Sequence, residues 1–450
     1  MGTGMSSPPG VIVVGGGLAG CEACWQIARR HIPVTLIEMK PLTYSPAHTS
    51  PHLAELVCSN SLKSMQTITA TGTLKKELAI LGSLIMEAAF RHTVPAGNAL
   101  SVDREAFSAD ITDKIETHPL IRVEHRILRR LKEIPRLPAI LTTGPLTHPD
   151  LIEDLKHHTG TDVLYFYDAT SPILLADSID TSIVFYGSRY GKGGNDYLNI
   201  PLTREQYEKF VDDILLAKKV PLHPFESKTY YEGCMPIEVL AKRGRETLAF
   251  GPMKPVGLVN PLTGKQPYAV IQLRRETRSG DLYSMVGFQT KMTFSEQERI
   301  FRSLPGLAQA EFVRLGTIHR NFYLESPLAL GPTLMLKNRP GIYVGGQITG
   351  VEGYLESTAM GLLCALFCLS SERPIPPPPP TTVLGGLYRH VVTPQKKFSP
   401  MGANWGLVSP LSIRVRRKEK KEALATRALR DIQGWKKSLT GFWERDENEM

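Results

Sequence analysis

Cysteine is scarce in this chain, with six among 450 residues. So few cannot build the disulfide framework of a small secreted fold, and a reducing, cytoplasmic setting is expected. No run of about 18 apolar residues occurs, so no membrane-spanning helix is expected. The first ten residues lack an apolar stretch of signal-peptide length and read as a small, polar, disordered tail, residues 1–10. Acidic residues are the minority, 44 against 53 Lys and Arg, which gives a formal charge of +9. That balance favours a polyanionic partner, nucleic acid above all. Charged residues make up only 22% of the chain and hydrophobic ones 42%, which excludes wholesale disorder. The length exceeds what one compact core holds, so two domains, or one domain with an insertion, are expected.

The first ordered element is legible from its residues. Val11-Ile12-Val13-Val14 is short, apolar and β-branched, which predicts a buried parallel strand. The turn Gly15-Gly16-Gly17-Leu18-Ala19-Gly20 follows, then a helix from about Cys21 to Arg30, then a strand Val34–Ile37 ending at Glu38. In a Gly-x-Gly-x-x-Gly turn the glycines permit a tight bend and close approach of a pyrophosphate. The helix N-terminus behind it offers free N–H groups and partial positive charge. Glu38 stands where a carboxylate accepts hydrogen bonds from ribose hydroxyls. A second glycine-rich strand–turn–helix begins at Gly341, with Gly345-Gly346-Gln347-Ile348-Thr349-Gly350 and a helix from Gly353 to Leu369. This pairing of an N-terminal and a C-terminal glycine motif is the arrangement of large flavoproteins, and it favours FAD over NAD. The cofactor-binding candidates are Gly15, Gly16, Gly17, Leu18, Ala19, Gly20, Glu38, Gly346, Gln347 and Gly350. The predicted fold class is α/β, a Rossmann-like doubly wound FAD-binding domain with an inserted α+β domain. The FAD-binding domain is placed at 11–200 and 318–410, the insertion at 201–317, and a basic C-terminal helix at 411–450.

Between these motifs, Leu74 to Arg91 has helical periodicity, Asp103 to His118 reads as a helix, and Val163 to Tyr167 reads as a strand closed by Asp168. Pro374 to Pro380 predicts a polyproline spacer. From Arg414 to Lys437 there are ten Lys or Arg against three acids, a candidate phosphate-contacting arm.

Cys58 lies in Glu-Leu-Val-Cys-Ser-Asn-Ser and Cys234 in Glu-Gly-Cys-Met-Pro-Ile-Glu, both among polar, turn-forming residues where a thiolate can be stabilised. Cys21, Cys24, Cys364 and Cys368 sit on apolar helices and read as core. The spacings indicate no metal site, and no loop dithiol of a disulfide oxidoreductase occurs. His48, His52 and His319 are loop histidines with no decisive context.

Several stretches resemble the bacterial folate/FAD-dependent tRNA uracil-5-methyltransferases (TrmFO), relatives of the MnmG-type flavoproteins. They are VIVVGGGLAGCEACWQIARR, PVTLIEMKP, PAHTSPHLAELVCSNSLKS, YEGCMPIEVLAKRG, MVGFQTKM, GGQITGVEGYLESTAMGLL and FSPMGANWGL, in order from residue 11 to about 407. The resemblance implies an enzyme that methylates uridine-54 of the tRNA T-loop. FAD is its cofactor, 5,10-methylenetetrahydrofolate its carbon source and NAD(P)H its reductant. It implies Cys234 as the thiol that adds to uracil C6, and Cys58 as a base or support, with the two roles exchangeable. Folate would stack near Gln289 to Lys291 and His319, although many relatives have histidine where Lys291 stands. Lys63 and Phe322 depart mildly from the family pattern. The partners implied are tRNA and folate, with no membrane and no obligate protein partner. Two alternatives stay open: the same chemistry on ribosomal RNA, and a flavin oxidoreductase acting on a small molecule.

Overall fold

Five short strands, four of them largely apolar, lie side by side in one parallel sheet. Their order is Ile342–Val344, Ala139–Leu141, Val11–Val14, Val34–Glu38 and Ile121–His125. The computed structural model describes residues 10–160, 163–191, 194–221, 230, 234–371 and 373–439. Residues 1–9, most of the expected tail, and 440–450, the end of the expected basic helix, lie outside that set. Helices cover the sheet, so its inner strands are buried throughout and read as continuous apolar runs, while the edge strand Ile121–His125 alternates and is partly exposed. From Val11–Val14 the chain builds outward to Ile121–His125, then returns to the other side of the first strand at Ala139–Leu141. The strand order therefore reverses between Val11–Val14 and Ala139–Leu141. In a doubly wound sheet, ligands bind at the C-terminal ends of the strands flanking that switch point.

The helix Leu18–Ala28 packs against the helix Tyr354–Leu369 at a contact only glycine permits. A Cβ on Gly361 would stand 2.3 Å from the Ala19 carbonyl oxygen. The periodic stretch Leu74–Arg91 is broken. Helix Ala70–Ile80 ends at Gly82 (φ +74), and Ser83 caps a new helix, Leu84–Arg91, by accepting a hydrogen bond from the Met86 amide. The hydroxyl of Ser83 also donates to Glu22, buried in the first helix, so the break is fixed by a tertiary contact that periodicity cannot register. Asp103 is the N-cap of its helix, Arg104–Glu116.

A second, antiparallel sheet runs in the order Phe185–Gly187, Tyr197–Leu202, Ala269–Arg275, Leu282–Met285, Ile173–Leu175 and Phe312–Arg314. It has its own core of Leu198, Ile200, Phe210, Ile271, Phe288 and Phe301. The sheet begins at Ile173, upstream of residue 201, because its first strand pairs with Leu282–Met285 and Phe312–Arg314, both far away in sequence. The antiparallel pair Leu164–Ala169 and Ile318–Tyr323 carries the chain into this unit and back out.

The basic C-terminal helix, Lys420–Ser438, is built into the main core through Ile432 and Trp435, and also buries Leu424 and Ala428. Its Trp435 indole donates to the Pro376 carbonyl and Asp431 accepts from Thr381. The proline run is thus strapped to this helix and does not project as a free spacer.

Candidate active site

At the switch point, Gly15 has φ +98, and a Cβ on Gly20 would stand 1.8 Å from the Gly15 carbonyl oxygen. These two positions tolerate glycine alone. Gly17 is the N-cap of the first helix and offers no side chain to its free amides, while the space beside its Cα is open. The buried Glu38 carboxylate accepts from the Gly16 amide at 2.5 Å and from the Lys40 amide at 2.9 Å. Gly15, Gly16, Gly17, Leu18, Ala19 and Glu38 all line one elongated cleft, together with Thr142–Thr147 from the other side of the reversal. An uncapped helix end, a side-chain-free approach and a carboxylate at the neighbouring strand end fit the pyrophosphate and ribose of a dinucleotide.

Gln347 stands at the far end of the cleft, and its amide donates to Glu352 at 2.6 Å. Gly20, Gly346 and Gly350 lie behind the wall rather than along it. Gly346 backs onto Ala19 and Gly350 onto the Phe398 ring, so these glycines let segments approach one another.

The cleft continues into a second cavity through shared Val57, Pro145, Leu146, Gln347 and Tyr354. Both candidate cysteines line this second cavity, Cys58 from the parallel-sheet side and Cys234 from the segment before helix Ile237–Ala241. Their sulfurs and a carboxylate oxygen of Asp168 all lie within 4.8 Å of one another. The Cys58 loop is held from several directions. The Cys58 amide donates to the Tyr354 hydroxyl at 2.7 Å, and the Arg314 guanidinium donates to the Cys58 carbonyl at 3.2 Å. Arg274 donates to the Ser59 hydroxyl at 3.0 Å, and Arg104, paired with Glu276 at 2.8 Å, donates to the Leu56 carbonyl. Arg274 and Arg314 come from the second sheet, so that sheet fixes a loop of the first unit.

The hydrogen bond with Cys58, burial and the nearby Asp168 together hold the Cys234 thiol well above the ordinary range. Burial raises Asp168 to about 6, against a smaller opposing effect of its hydrogen bond with Cys234. Cys21, Cys24, Cys364 and Cys368 are buried, and desolvation pushes each thiol up, as suits core residues.

A family model described as "Glucose inhibited division protein A" matches residues 10–372. A Geobacter sulfurreducens protein named methylenetetrahydrofolate--tRNA-(uracil-5-)-methyltransferase TrmFO is 53% identical over 435 residues, covering 94% of this chain and 98% of that one. A Moorella thermoacetica protein of the same name is 51% identical, covering 93% and 96%. The chain belongs to the TrmFO family. The fold of Aquifex aeolicus GidA superposes with a TM-score of 0.67 at 15% identity, covering 96% of this chain and 78% of that one.

Against that family frame, the histidines separate. His319 lines the cysteine cavity, and burial and Arg314 lower it to about 4, so its ring is neutral. His48 lines the dinucleotide cleft, and burial lowers it too. His52 faces neither cavity; its carbonyl accepts from Lys40. Gln289 lines the cysteine cavity, while Lys291 turns to the Tyr230 hydroxyl at 2.6 Å. Lys63 lines the cavity and pairs with Glu356 at 2.7 Å; Phe322 is fully buried. The sequence reading treats Asp168 only as the end of a strand and does not single out Tyr354, Arg274 or Arg314. Asp168 and Cys234 are 66 positions apart, and no local spacing links them.

Proposed function

We propose that this chain methylates C5 of a tRNA uridine, the T-loop uridine-54, taking the carbon from 5,10-methylenetetrahydrofolate. The observation that carries the reading is the convergence of Cys58, Cys234 and Asp168 at the end of a dinucleotide cleft. Uracil C5 is a poor nucleophile. Addition of the Cys234 thiolate at C6 converts the ring to an enolate that attacks through C5. Cys58 then serves in removal of the C5 proton or in supporting the substrate, and elimination releases the thiol. Gly15–Ala19 and Glu38 would hold FAD, which, reduced by NAD(P)H, would supply the electrons that take the one-carbon unit to a methyl group. Gln289 and the neutral His319 ring form the wall against which a pterin stacks. We place the FAD-binding domain in the parallel sheet and its helices, and the insertion in the six-stranded sheet and its core.

The test is direct. Flavin-loaded protein is incubated with unmodified tRNA transcript, NADPH and methylenetetrahydrofolate labelled in its one-carbon unit. Label in 5-methyluridine, independent of S-adenosylmethionine, supports the reading. Absence of label, with flavin bound and NADPH consumed, overturns tRNA as substrate and moves the assay to ribosomal RNA.

The C-terminal helix supplies a second expectation. Lys418, Lys420, Lys421 and Arg430 are exposed, while Leu424, Ile432 and Trp435 are buried, each contributing about 2 kcal/mol. Truncation would therefore damage the core, and substitution of the charges is the cleaner probe. Changing all four to Gln weakens tRNA binding and flattens the slope of log K against log salt by about 2 to 4, with the thermal midpoint unchanged. An unaltered slope in a binding titration would show that this face makes no phosphate contact.

A further inference from the structure

A buried thiol cannot add to a ring carbon unless its proton has somewhere to go. Among the described groups around the Cys58–Cys234 pair, and with Cys58 itself assigned to the C5 proton, one carboxylate is placed to accept it. Tyr354 is a phenol whose hydroxyl accepts from the Cys58 and Ser59 amides, and burial raises it beyond use as a base. Burial and Asp168 push the Glu352 carboxyl well above the carboxylate range, and one of its oxygens already accepts from the Gln347 amide. His319 is neutral, but its Nε2 is engaged by the Thr317 hydroxyl at 2.9 Å. Lys63, Arg104 and Arg314 are cations committed to Glu356, Glu276 and the Cys58 carbonyl.

Asp168 remains. Its backbone is fixed in the two-stranded ribbon opposite His319, and its carboxylate reaches both sulfurs. Among the described residues, its Oδ1 is buried with no hydrogen-bond partner. Glu276 and Glu356 also keep one unpaired buried oxygen, but each is neutralised by a cation, whereas Asp168 stands beside two thiols and its free oxygen is open to a proton.

We infer that Asp168 is the proton acceptor and donor for Cys234, a catalytic residue whose carboxylate lies within 4.8 Å of the nucleophilic sulfur. This rests on the reading of Cys234 as the group that adds to uracil. In the addition step the S–H bond breaks, the sulfur pair forms the S–C6 bond, and the proton passes to the Asp168 carboxylate. The C5–C6 π pair moves into the enolate. Once C5 has bonded the one-carbon unit, the elimination step begins with loss of the C5 proton to the base for which Cys58 is placed. The S–C6 bond then breaks, and Asp168 returns its proton to the departing sulfur. The carboxylate ends as it began. Its elevation to about 6 suits the task, because a stronger acid would not hold the thiol proton near neutral pH.

The sign of the pH dependence follows. Below about 6 Asp168 is protonated and cannot accept; above it the carboxylate is free. Alkylation of Cys234 by iodoacetamide, followed by peptide mapping of the full-length protein without RNA, reads this directly. In the wild type the rate rises through about pH 6 and levels off. In Asp168→Asn that rise vanishes, reaction waits for the thiol's own ionisation at alkaline pH, and the rate at pH 7.5 falls at least about 100-fold. Asp168→Glu retains an inflection below pH 7 at a reduced rate, and it decides the matter if the Asn variant does not fold. An Asn profile that superposes on the wild type, or a Glu variant without the inflection, overturns the proposal. If the inflection depends on Asp168 but no RNA is methylated, the proton transfer stands and the functional reading fails.

Discussion

Cys234→Ala abolishes label transfer into RNA, by at least about 10³-fold, while flavin content and thermal midpoint stay at wild-type values. The effect is large because no other group can form the bond to C6. Cys58 lies close, but its loop is fixed through the Tyr354 hydroxyl and Arg314 and cannot swing to replace the missing sulfur. Cys234→Ser is equally inactive, since a serine hydroxyl is a far weaker acid than a thiol. RNA carrying 5-fluorouridine separates the two cysteines. Addition can occur but the C5 fluorine cannot leave as a proton does, so the nucleophile stays covalently attached to the RNA. A mapped adduct on Cys234 that persists in Cys58→Ala confirms the assignment. An adduct on Cys58 that survives Cys234→Ala reverses the two roles.

Gly361→Ala strips the protein of flavin and destabilises it by about 3 kcal/mol, at the upper end for an overpacked core. The added methyl would stand 2.3 Å from the Ala19 carbonyl oxygen and 2.7 Å from the Ala19 Cα, both backbone atoms that cannot rotate aside. Ala19 lines the dinucleotide cleft, so the displacement moves the helix N-terminus off its ligand. Gly434→Ala is the control. It lies on an exposed face of the C-terminal helix with nothing within 4 Å of its Cβ position, and stabilises by about 0.5 to 1 kcal/mol. Visible flavin absorbance and thermal melts of the two purified variants decide. Wild-type flavin content in Gly361→Ala would show that the close helix contact is dispensable.

What was legible in the sequence is what is local. Val11–Val14, the glycine turn and Glu38 follow one another within 28 residues, and each carries its own signal in β-branching, glycine spacing or a charge at a strand end. The polar surroundings of Cys58 and Cys234 set them apart from Cys21 or Cys364. What was hidden depends on partners far along the chain. Asp168 reads as an ordinary end to a hydrophobic strand until the fold brings Cys234 to it. Tyr354 belongs to an apolar helix, and only its hydroxyl, donated to by two amides almost 300 positions away, reveals its use. Likewise, nothing in the basic spacing of Lys420–Ser438 announces that the opposite face is core.

The Cys58 carbonyl is held by Arg314, the last residue of the last strand in the six-stranded sheet. Cys58 emerges early during synthesis and Cys234 midway, but the Arg314 that holds the Cys58 loop is made after both. A nascent chain therefore presents two ordinary cysteines and no reactive pair. Competence for addition to a ring carbon arrives only with the completed tertiary structure, and a chain cut short before Arg314 lacks one of the contacts that fix the Cys58 loop.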